Sequence, residues 1–552
     1  MRSLSLAWLL VLAACARTVV SLPAPAPATG PAGPAGLPAV PAVDGPLSIR
    51  VQYPAPNQVV TSRDSNFIFG SVGSGRATLS INGHPARVYP NGAFMAFIPN
   101  PPEPAPAYEL VATRGAETVR LTQPIAYPTA RAAAAAAPEV APRSDVKSEG
   151  LATSRADTLA ALASRIDSLG GALRTALVRD EPVGWVQLGA PNAAADTDRV
   201  VIGRPVPGGT YKWFFLPGTV VPLVAREGEF ARVRLDRDLD VWVGADAARD
   251  VADSAAPERR VAANMKVRPS ASGVDVVIPT GTRPPYYVEE RGDALVLTLY
   301  GVRANTDIVN YAAADSIVRT IEWAQESADR ARVTVNLRTP PYGYLVVWEG
   351  NALVLKLRGR PAIDAREPLR GLTIVVDPGH PPNGATGPTG LWEPEATLAV
   401  GRRLQALLEQ RGAHVVMTRT TPEAVALGDR PIIARRAGAH AFVSIHLNAY
   451  PDGIDPFVAP GTGTYFFRAH SEPLARAVQR GMVARMGLKD LGVNYDNLAV
   501  VRPTWYPSVL CEGAFIILPD QEAALRTPEF QERYARGILD GLESYFRTLG
   551  PR

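Results

Sequence analysis

Four residues in the last third of the chain carry groups that could do chemistry together: His380, Glu393, His446 and Glu512. Asp377-Pro378-Gly379-His380 follows the apolar run Thr373-Ile374-Val375-Val376, and His446 follows Ala441-Phe442-Val443-Ser444-Ile445. Glu512 follows Ser508-Val509-Leu510-Cys511, so all three stand at the carboxyl ends of expected strands. In open α/β sheets that is the edge where ligands collect. Glu393 stands just before Pro394, a natural first helical residue, so its side chain projects from a helix start.

Two histidines and one carboxylate suit a catalytic zinc ion, with a position left for water. Such an ion polarises a carbonyl and lowers the pKa of a water toward about 7. A second carboxylate is then needed to take the water's proton and pass it to a leaving amine. Taken singly, each residue has an ordinary reading as a loop histidine, a helix cap or a solvated acid. The set is harder to dismiss, because the chain has only 6 histidines and two of them end strands of one domain.

The elements that must position these groups begin at Gly371, where strands and helices alternate as in a mostly parallel sheet covered by helices. Strands are expected at Thr373 to Val376, His414 to Thr418, Ala441 to Ile445, Leu498 to Val501 and Ser508 to Cys511. Helices are expected from Pro394 to Gln410, Pro431 to Ala437, Glu472 to Met486, and Thr527 to about Leu549. Leu398, Leu404, Leu407 and Leu408 form the apolar stripe of the first helix, with Gly412 beyond its end.

From Ile374 to about Tyr545 the sequence resembles the zinc-dependent N-acetylmuramoyl-L-alanine amidases of bacterial cell walls. The resemblance is carried by Val376 through His380, Gly390-Leu391-Trp392-Glu393, Thr418-Arg419-Thr420, Leu427 through Arg430, Val443 through Asn448, and Pro507 through Glu512. It implies one Zn2+ on His380, Glu393 and His446, with Glu512 as the catalytic glutamate. Glu395 is a rival ligand two residues on, but its place in the motif matches a position outside the metal shell. Asp377 and Asn448 are candidates to orient the histidines, and Arg430 matches a recurrent structural arginine. The chain departs from the pattern at Ala514 and Leu518, where the family has glycine and asparagine, and at Pro381-Pro382-Asn383-Gly384, where it has a glycine-rich loop. These departures bear on substrate fit more than on activity. Some relatives carry a cleft-blocking helix between the second histidine and the catalytic glutamate; here the interval is too short for one.

With 552 residues, three to five domains are expected, and the fold class is multidomain: an α/β catalytic domain at 371–552 preceded by several all-β modules. Residues 1–15 read as an export signal, with Arg2, an apolar run from Leu4 to Ala14, and a Leu12-Ala13-Ala14-Cys15 ending that resembles a lipobox. Residues 16–46 form a Pro/Ala-rich linker suited to an extended tether. Residues 47–127 resemble an immunoglobulin-like module, through Phe67 to Val72, Ala77 to Ile81, the hairpin signal Asn82-Gly83, and Asn91-Gly92-Ala93-Phe94. An Ala-rich linker at 128–180 contains a helix between Ser154 and Val178. Residues 181–251 resemble an SH3-like module, through Gly218 to Val224, Phe230 to Leu235 and Val241-Trp242-Val243.

Residues 261–360 contain an echo. Pro284-Pro285-Tyr286-Tyr287 before Ala294 to Leu299 recurs as Pro340-Pro341-Tyr342-Gly343-Tyr344 before Ala352 to Leu357. Two such β-units facing each other make a small sandwich, similar to the AMIN-type targeting domains that precede cell-wall amidases.

A net charge of +4 is too mild to argue for nucleic acid, and the two cysteines, Cys15 and Cys511, provide no disulfide framework after export. The amidase resemblance thus implies an exported, periplasmic enzyme that cuts between N-acetylmuramic acid and L-alanine in peptidoglycan. The lipobox resemblance implies an outer-membrane anchor through Cys15, the alternative being a plain signal peptide cleaved a little later. Two other readings remain at this level: a catalytically inactive peptidoglycan-binding module and a zinc peptidase acting on stem peptides.

Overall fold

The computed structural model describes residues 36–128, 180–190, 200–312 and 315–550. Cys15 with its export segment, and the helix expected between Ser154 and Val178, lie outside these residues. Among the described residues no helix is long and apolar enough to cross a membrane.

Asn82-Gly83 closes a two-residue hairpin, with Ile81 paired to His84 and both turn residues at positive φ (51° and 79°). In the same module, strand Ser65–Ser71 is buried on both faces. Strand side chains alternate with period two: Ile68 enters the module's own core, whereas Phe67 and Phe69 enter the core of the C-terminal domain. The unbroken apolar run Phe67-Ile68-Phe69 is thus a docking strand.

Strands Gly184–Leu188, Thr219–Glu227, Phe230–Asp236, Leu239–Gly244 and Ala248–Val251 form a five-stranded antiparallel sheet, and Val201–Gly203 pairs with Trp213–Phe215. The echoed hairpins lie in different sheets. Tyr286–Arg291 with Ala294–Tyr300 belongs to a four-stranded sheet, and Gly343–Glu349 with Ala352–Arg358 to a five-stranded one. Leu295, Leu297 and Leu299 share one core with Leu353, Leu355 and Leu357.

The C-terminal domain is built on six strands: β1 (Thr373–Pro378), β2 (His414–Met417), β3 (Ala441–Asn448), β4 (Thr462–Phe466), β5 (Asp490–Tyr495) and β6 (Ser508–Phe515). Their order is β2-β1-β3-β6-β4-β5, all neighbours parallel except β6 with β4. Helices α1 (Glu393–Gln410), α3 (Glu472–Met486) and α5 (Pro528–Thr548) contribute to the larger core. The short helices α2 (Asp429–Arg436) and α4 (Pro519–Leu525) complete the set. Val375, Phe442 and Leu510, from β1, β3 and β6, join Ala434 of α2 in a second cluster.

The sequence expectation needs several corrections here, and it also lacks β5 and α4. β3 and β6 continue through His446 and Glu512, so both residues lie within strands. The run Leu498 to Val501 is not a strand: Ala499–Val501 is a 3-10 turn whose two valines plug the second cluster. A four-residue apolar run cannot reveal that distinction by periodicity. β4 was not expected at all, because Thr462, Gly463 and Thr464 look polar and turn-like. They are buried, with Thr464 donating to Gln479 Oε1 at 2.8 Å and Gln479 Nε2 returning a bond to Thr462 O at 2.8 Å. Between His446 and Glu512 stands one α-helix, α3, which ends at Gly487 in the left-handed conformation (φ 68°) and packs in the larger core.

The β-rich half is docked on this domain. Tyr344 N donates to Thr504 O at 2.7 Å, and Thr504 Oγ1 donates to Tyr344 O at 2.6 Å. Arg358 donates to Gly438 O at 3.0 Å and Trp505 O at 3.1 Å, and His470 Nδ1 lies 2.9 Å from the buried Glu290.

Candidate metal centre

The path from β1 to α1 decides the site. Gly379 N donates to Ile445 O at 2.8 Å, which brings this turn against β3. A Cβ on Gly379 would stand 2.4 Å from the His446 ring, so only glycine allows the approach. His380 then takes φ 58°, an uncommon left-handed conformation for a side-chain-bearing residue. It is held by Arg430 Nη2, which donates to His380 O at 2.9 Å, and by Arg419 Nη2, which donates to Gly379 O at 3.0 Å.

Glu393 opens α1 and is 3% exposed. Its Oε1 accepts from Leu447 N at 3.0 Å and its Oε2 from Ala385 N at 2.9 Å. The same oxygens stand 3.3 Å from His446 Nδ1 and 3.3 Å from His380 Nε2. Burial would raise this carboxyl's pKa, but the bonds and charge of His380 and His446 more than offset it and hold it well below the usual range. The two imidazoles meet edge to face with centroids 4.8 Å apart. One ligand atom from each of His380, Glu393 and His446 lies within 4.8 Å of the others.

Glu512 is the Cα partner of His446 across β3 and β6. Its Oε2 is sequestered from solvent and has no hydrogen-bond partner among the described residues. Burial, then the charge of Glu393, pushes this carboxyl well above its ordinary value. A sequestered, unpartnered oxygen beside a nitrogen–nitrogen–oxygen ligand set is what a bound cation and its water would relieve. The residues present therefore fit a zinc ion. Glu395, by contrast, is exposed and outside the cluster.

Among the described residues no hydrogen bond joins Asp377 to either histidine. It is fully buried and accepts from Thr418 Oγ1 at 2.5 Å, Ser444 Oγ at 2.6 Å and Arg430 Nη1 at 2.7 Å. Its partner Arg430 also donates to Pro378 O at 3.0 Å, so the pair locks the turn that carries His380. Among the described residues no hydrogen bond joins Asn448 to either histidine; its carbonyl accepts from Ile516 N at 3.1 Å. Ala514 and Leu518, the departures from the motif, lie in the larger core and not among the ligands.

Two supports went unread in the sequence. Arg419 donates to Pro378 O, Gly379 O and Pro394 O at 2.7–3.0 Å, tying the His380 turn to the start of α1. The buried Glu522 accepts from Thr389 N, Thr389 Oγ1 and Leu391 N at 2.9–3.0 Å, fixing the loop before Glu393. A Cβ on Gly387 would stand 2.6 Å from Glu522 Cδ, which explains the glycine in that loop. Glu522 stands beside Asp520 and Gln521 in the first turn of α4, so nothing in the sequence marks it or its distant partners.

Residues 374–544 match the family described as N-acetylmuramoyl-L-alanine amidase. The chain is 35% identical over 185 residues to the probable cell wall amidase LytH of Staphylococcus epidermidis, covering 33% of this chain and 60% of that protein. It is 33% identical over 208 residues to the uncharacterized protein YqiI of Bacillus subtilis, covering 36% of this chain and 98% of that protein. Among solved structures, the N-acetylmuramoyl-L-alanine amidase AmiC2 of Nostoc punctiforme is 33% identical, with 32% of this chain and 96% of that one covered and a TM-score of 0.30.

Proposed function

We infer that this chain, which belongs to the N-acetylmuramoyl-L-alanine amidase family through its C-terminal domain, hydrolyses the amide between N-acetylmuramic acid and the L-alanine of the stem peptide. The chain spans about 60% of the length of its Staphylococcus relatives, and the activity of the whole protein is our proposal. The observation that carries it is the close approach of His380, Glu393 and His446 beside the unpartnered Oε2 of Glu512.

His380, Glu393 and His446 would hold the zinc. When bound, the ion polarises the scissile carbonyl and lowers the pKa of a water toward about 7. Glu393 is kept from rotating by the Leu447 and Ala385 amides, which fixes its oxygens toward the two imidazoles. Glu512 takes the proton of the attacking water and delivers it to the departing alanine nitrogen. The carbon–nitrogen bond breaks and a carbon–oxygen bond forms. The products are a free lactyl carboxylate on the sugar and a free amine on the peptide.

The modules at 47–127, 181–251 and 261–360 carry this domain to the wall as immunoglobulin-like, SH3-like and AMIN-like units, and Cys15 anchors the exported protein. Residues 36–46 of the expected linker are instead held on the folded body, with Gly36 O accepting from Arg533 Nη1 at 2.8 Å and Val43 N donating to Pro90 O at 2.9 Å. Cys15→Ser should release the protein into the soluble envelope fraction; a wild type that is already soluble contradicts the anchor.

The test of the activity is digestion of purified peptidoglycan with the chain downstream of Cys15, followed by mass spectrometry. The reagent should be the long chain, since Arg358, Tyr344 and Phe67 all dock on the catalytic domain. Intact stem peptides with a free L-alanine amine are expected. Cuts within the stem peptide would make the protein a peptidase, and intact peptidoglycan would leave it a binding module.

A further inference from the structure

Away from the metal centre, a cavity of about 330 Å³ lies where residues 200–215, 286–288 and 344–346 meet the C-terminal domain. That is within the range of small-molecule sites, about 300–1,000 Å³. Its lining is supplied by three separate folding units. In Trp213–Phe215, Trp213 and Phe215 point into their own core, and Phe214 lines the cavity. Tyr287 lines it from the second sheet system and Trp505 from the C-terminal domain.

Of the three arginines that line this cavity, Arg435, Arg468 and Arg502, the last two give it its character. Arg468 uses Nε on Arg502 O at 2.8 Å and lays its guanidinium over Phe214, 5.5 Å from the ring centroid. Arg502 uses Nε on Asn497 Oδ1 at 2.7 Å and stacks over Tyr211 at 4.4 Å. Arg204 stacks on that same ring at 4.4 Å. Among the described residues no carboxylate lies within ion-pair distance of Arg468 or Arg502. Glu290, which faces this region, is committed to His470 at 2.9 Å and to the Tyr344 hydroxyl at 3.0 Å. Asp496 acts on Arg502 and Glu290 on Arg468 only through space, and partly buried guanidiniums without a paired carboxylate leave donors that one would satisfy. The aromatic rings beside them offer faces on which the apolar side of a sugar ring can lie.

We propose that this junction cavity is a second ligand site, which takes an N-acetylmuramic acid unit bearing a free lactyl carboxylate. The carboxylate sits on Arg468 and Arg502, and the sugar ring lies against Phe214, Tyr287 and Trp505. The choice of ligand rests on the amidase reading, because that reaction creates this carboxylate. The cavity, Arg468 and Arg502 do not depend on it. Occupancy would hold the enzyme on strands it has already stripped.

The measurement is titration calorimetry on the long chain carrying His446→Ala, so that the metal centre does not contribute. Three probes are used: the N-acetylglucosamine–N-acetylmuramic acid disaccharide, the same disaccharide with its carboxylate amidated, and a free stem peptide. The acid disaccharide should bind, with affinity falling as salt rises, and the amide at least tenfold more weakly. Arg468→Glu and, separately, Phe214→Ala should each weaken binding at least tenfold. Phe214 belongs to none of the hydrophobic clusters, so its variant keeps the test alive if the arginine variant misfolds. Absence of disaccharide binding, binding indifferent to both substitutions, or binding of the stem peptide alone would overturn the proposal. If the wild type cuts no peptidoglycan yet this binding persists, the activity is wrong and the site stands.

Discussion

His446 and Glu512 face each other as Cα partners on the adjacent parallel strands β3 and β6. Paired residues on neighbouring strands project to the same face, so this register places an imidazole and a carboxylate side by side. A one-residue slip would send one of them to the opposite face. The register is fixed by Phe442, Val443, Ile445, Val509 and Cys511, all fully buried, and by Tyr534. Its hydroxyl donates to Cys511 O at 2.9 Å and approaches His446 O at 3.1 Å.

The ligand assignment makes a direct prediction. His380→Ala and His446→Ala should each lose zinc, because neither remaining pair closes a three-ligand site. Metal analysis of the purified long chain checks this, and full occupancy in either variant would remove that residue from the ligand set.

Arg430 joins Asp377 to the carbonyls of the His380 turn. Arg430→Ala leaves Asp377 buried without its cation and should cost about 3–5 kcal/mol of stability. Arg430→Lys keeps the charge but not the planar fork that reaches Asp377, Pro378 and His380 together. That variant should fold and bind zinc about 10–100-fold more weakly, read by competition with a chelator. Wild-type zinc affinity in it would reduce Arg430 to a packing role.

Asp452 lies six residues after His446, on the loop that leads out of β3. It accepts from Tyr53 Oη, from Thr61 N at 2.8 Å, from Thr61 Oγ1 at 3.0 Å and from Asn66 Nδ2 at 3.1 Å. Asp452→Ala should therefore loosen the first β module and cost about 1–3 kcal/mol. The measurement is thermal unfolding together with proteolysis of the 449–461 loop. Unchanged melting and unchanged protection would show that this contact does not hold the two together.

Much of this site is legible in the sequence, because strand ends in an α/β sheet converge whatever the loops do. His380 follows β1, His446 and Glu512 lie within β3 and β6, and Glu393 opens α1. An acid three residues before a histidine, such as Asp377, looks in the sequence like its orienting partner or a turn former. Its actual partners, Thr418, Ser444 and Arg430, come from elsewhere in the chain, and spacing cannot show them. The docking face was hidden in the same way. Phe67 and Phe69 look like one side of an ordinary strand until a second domain covers them. Polar β4 escaped because burial of Thr462 and Thr464 depends on Gln479, a helix residue with no sequence mark.

The central claim is that Glu512 moves protons while three other residues hold the metal, and Glu512→Gln tests it most directly. The amide keeps the size and polarity of the side chain but cannot take a proton from water. Zinc content and turnover of purified peptidoglycan are measured on the same sample. The account predicts full zinc occupancy with turnover lowered by about a hundred- to ten-thousandfold. Near-wild-type turnover would give this chemistry to another residue, and lost zinc would make Glu512 a ligand.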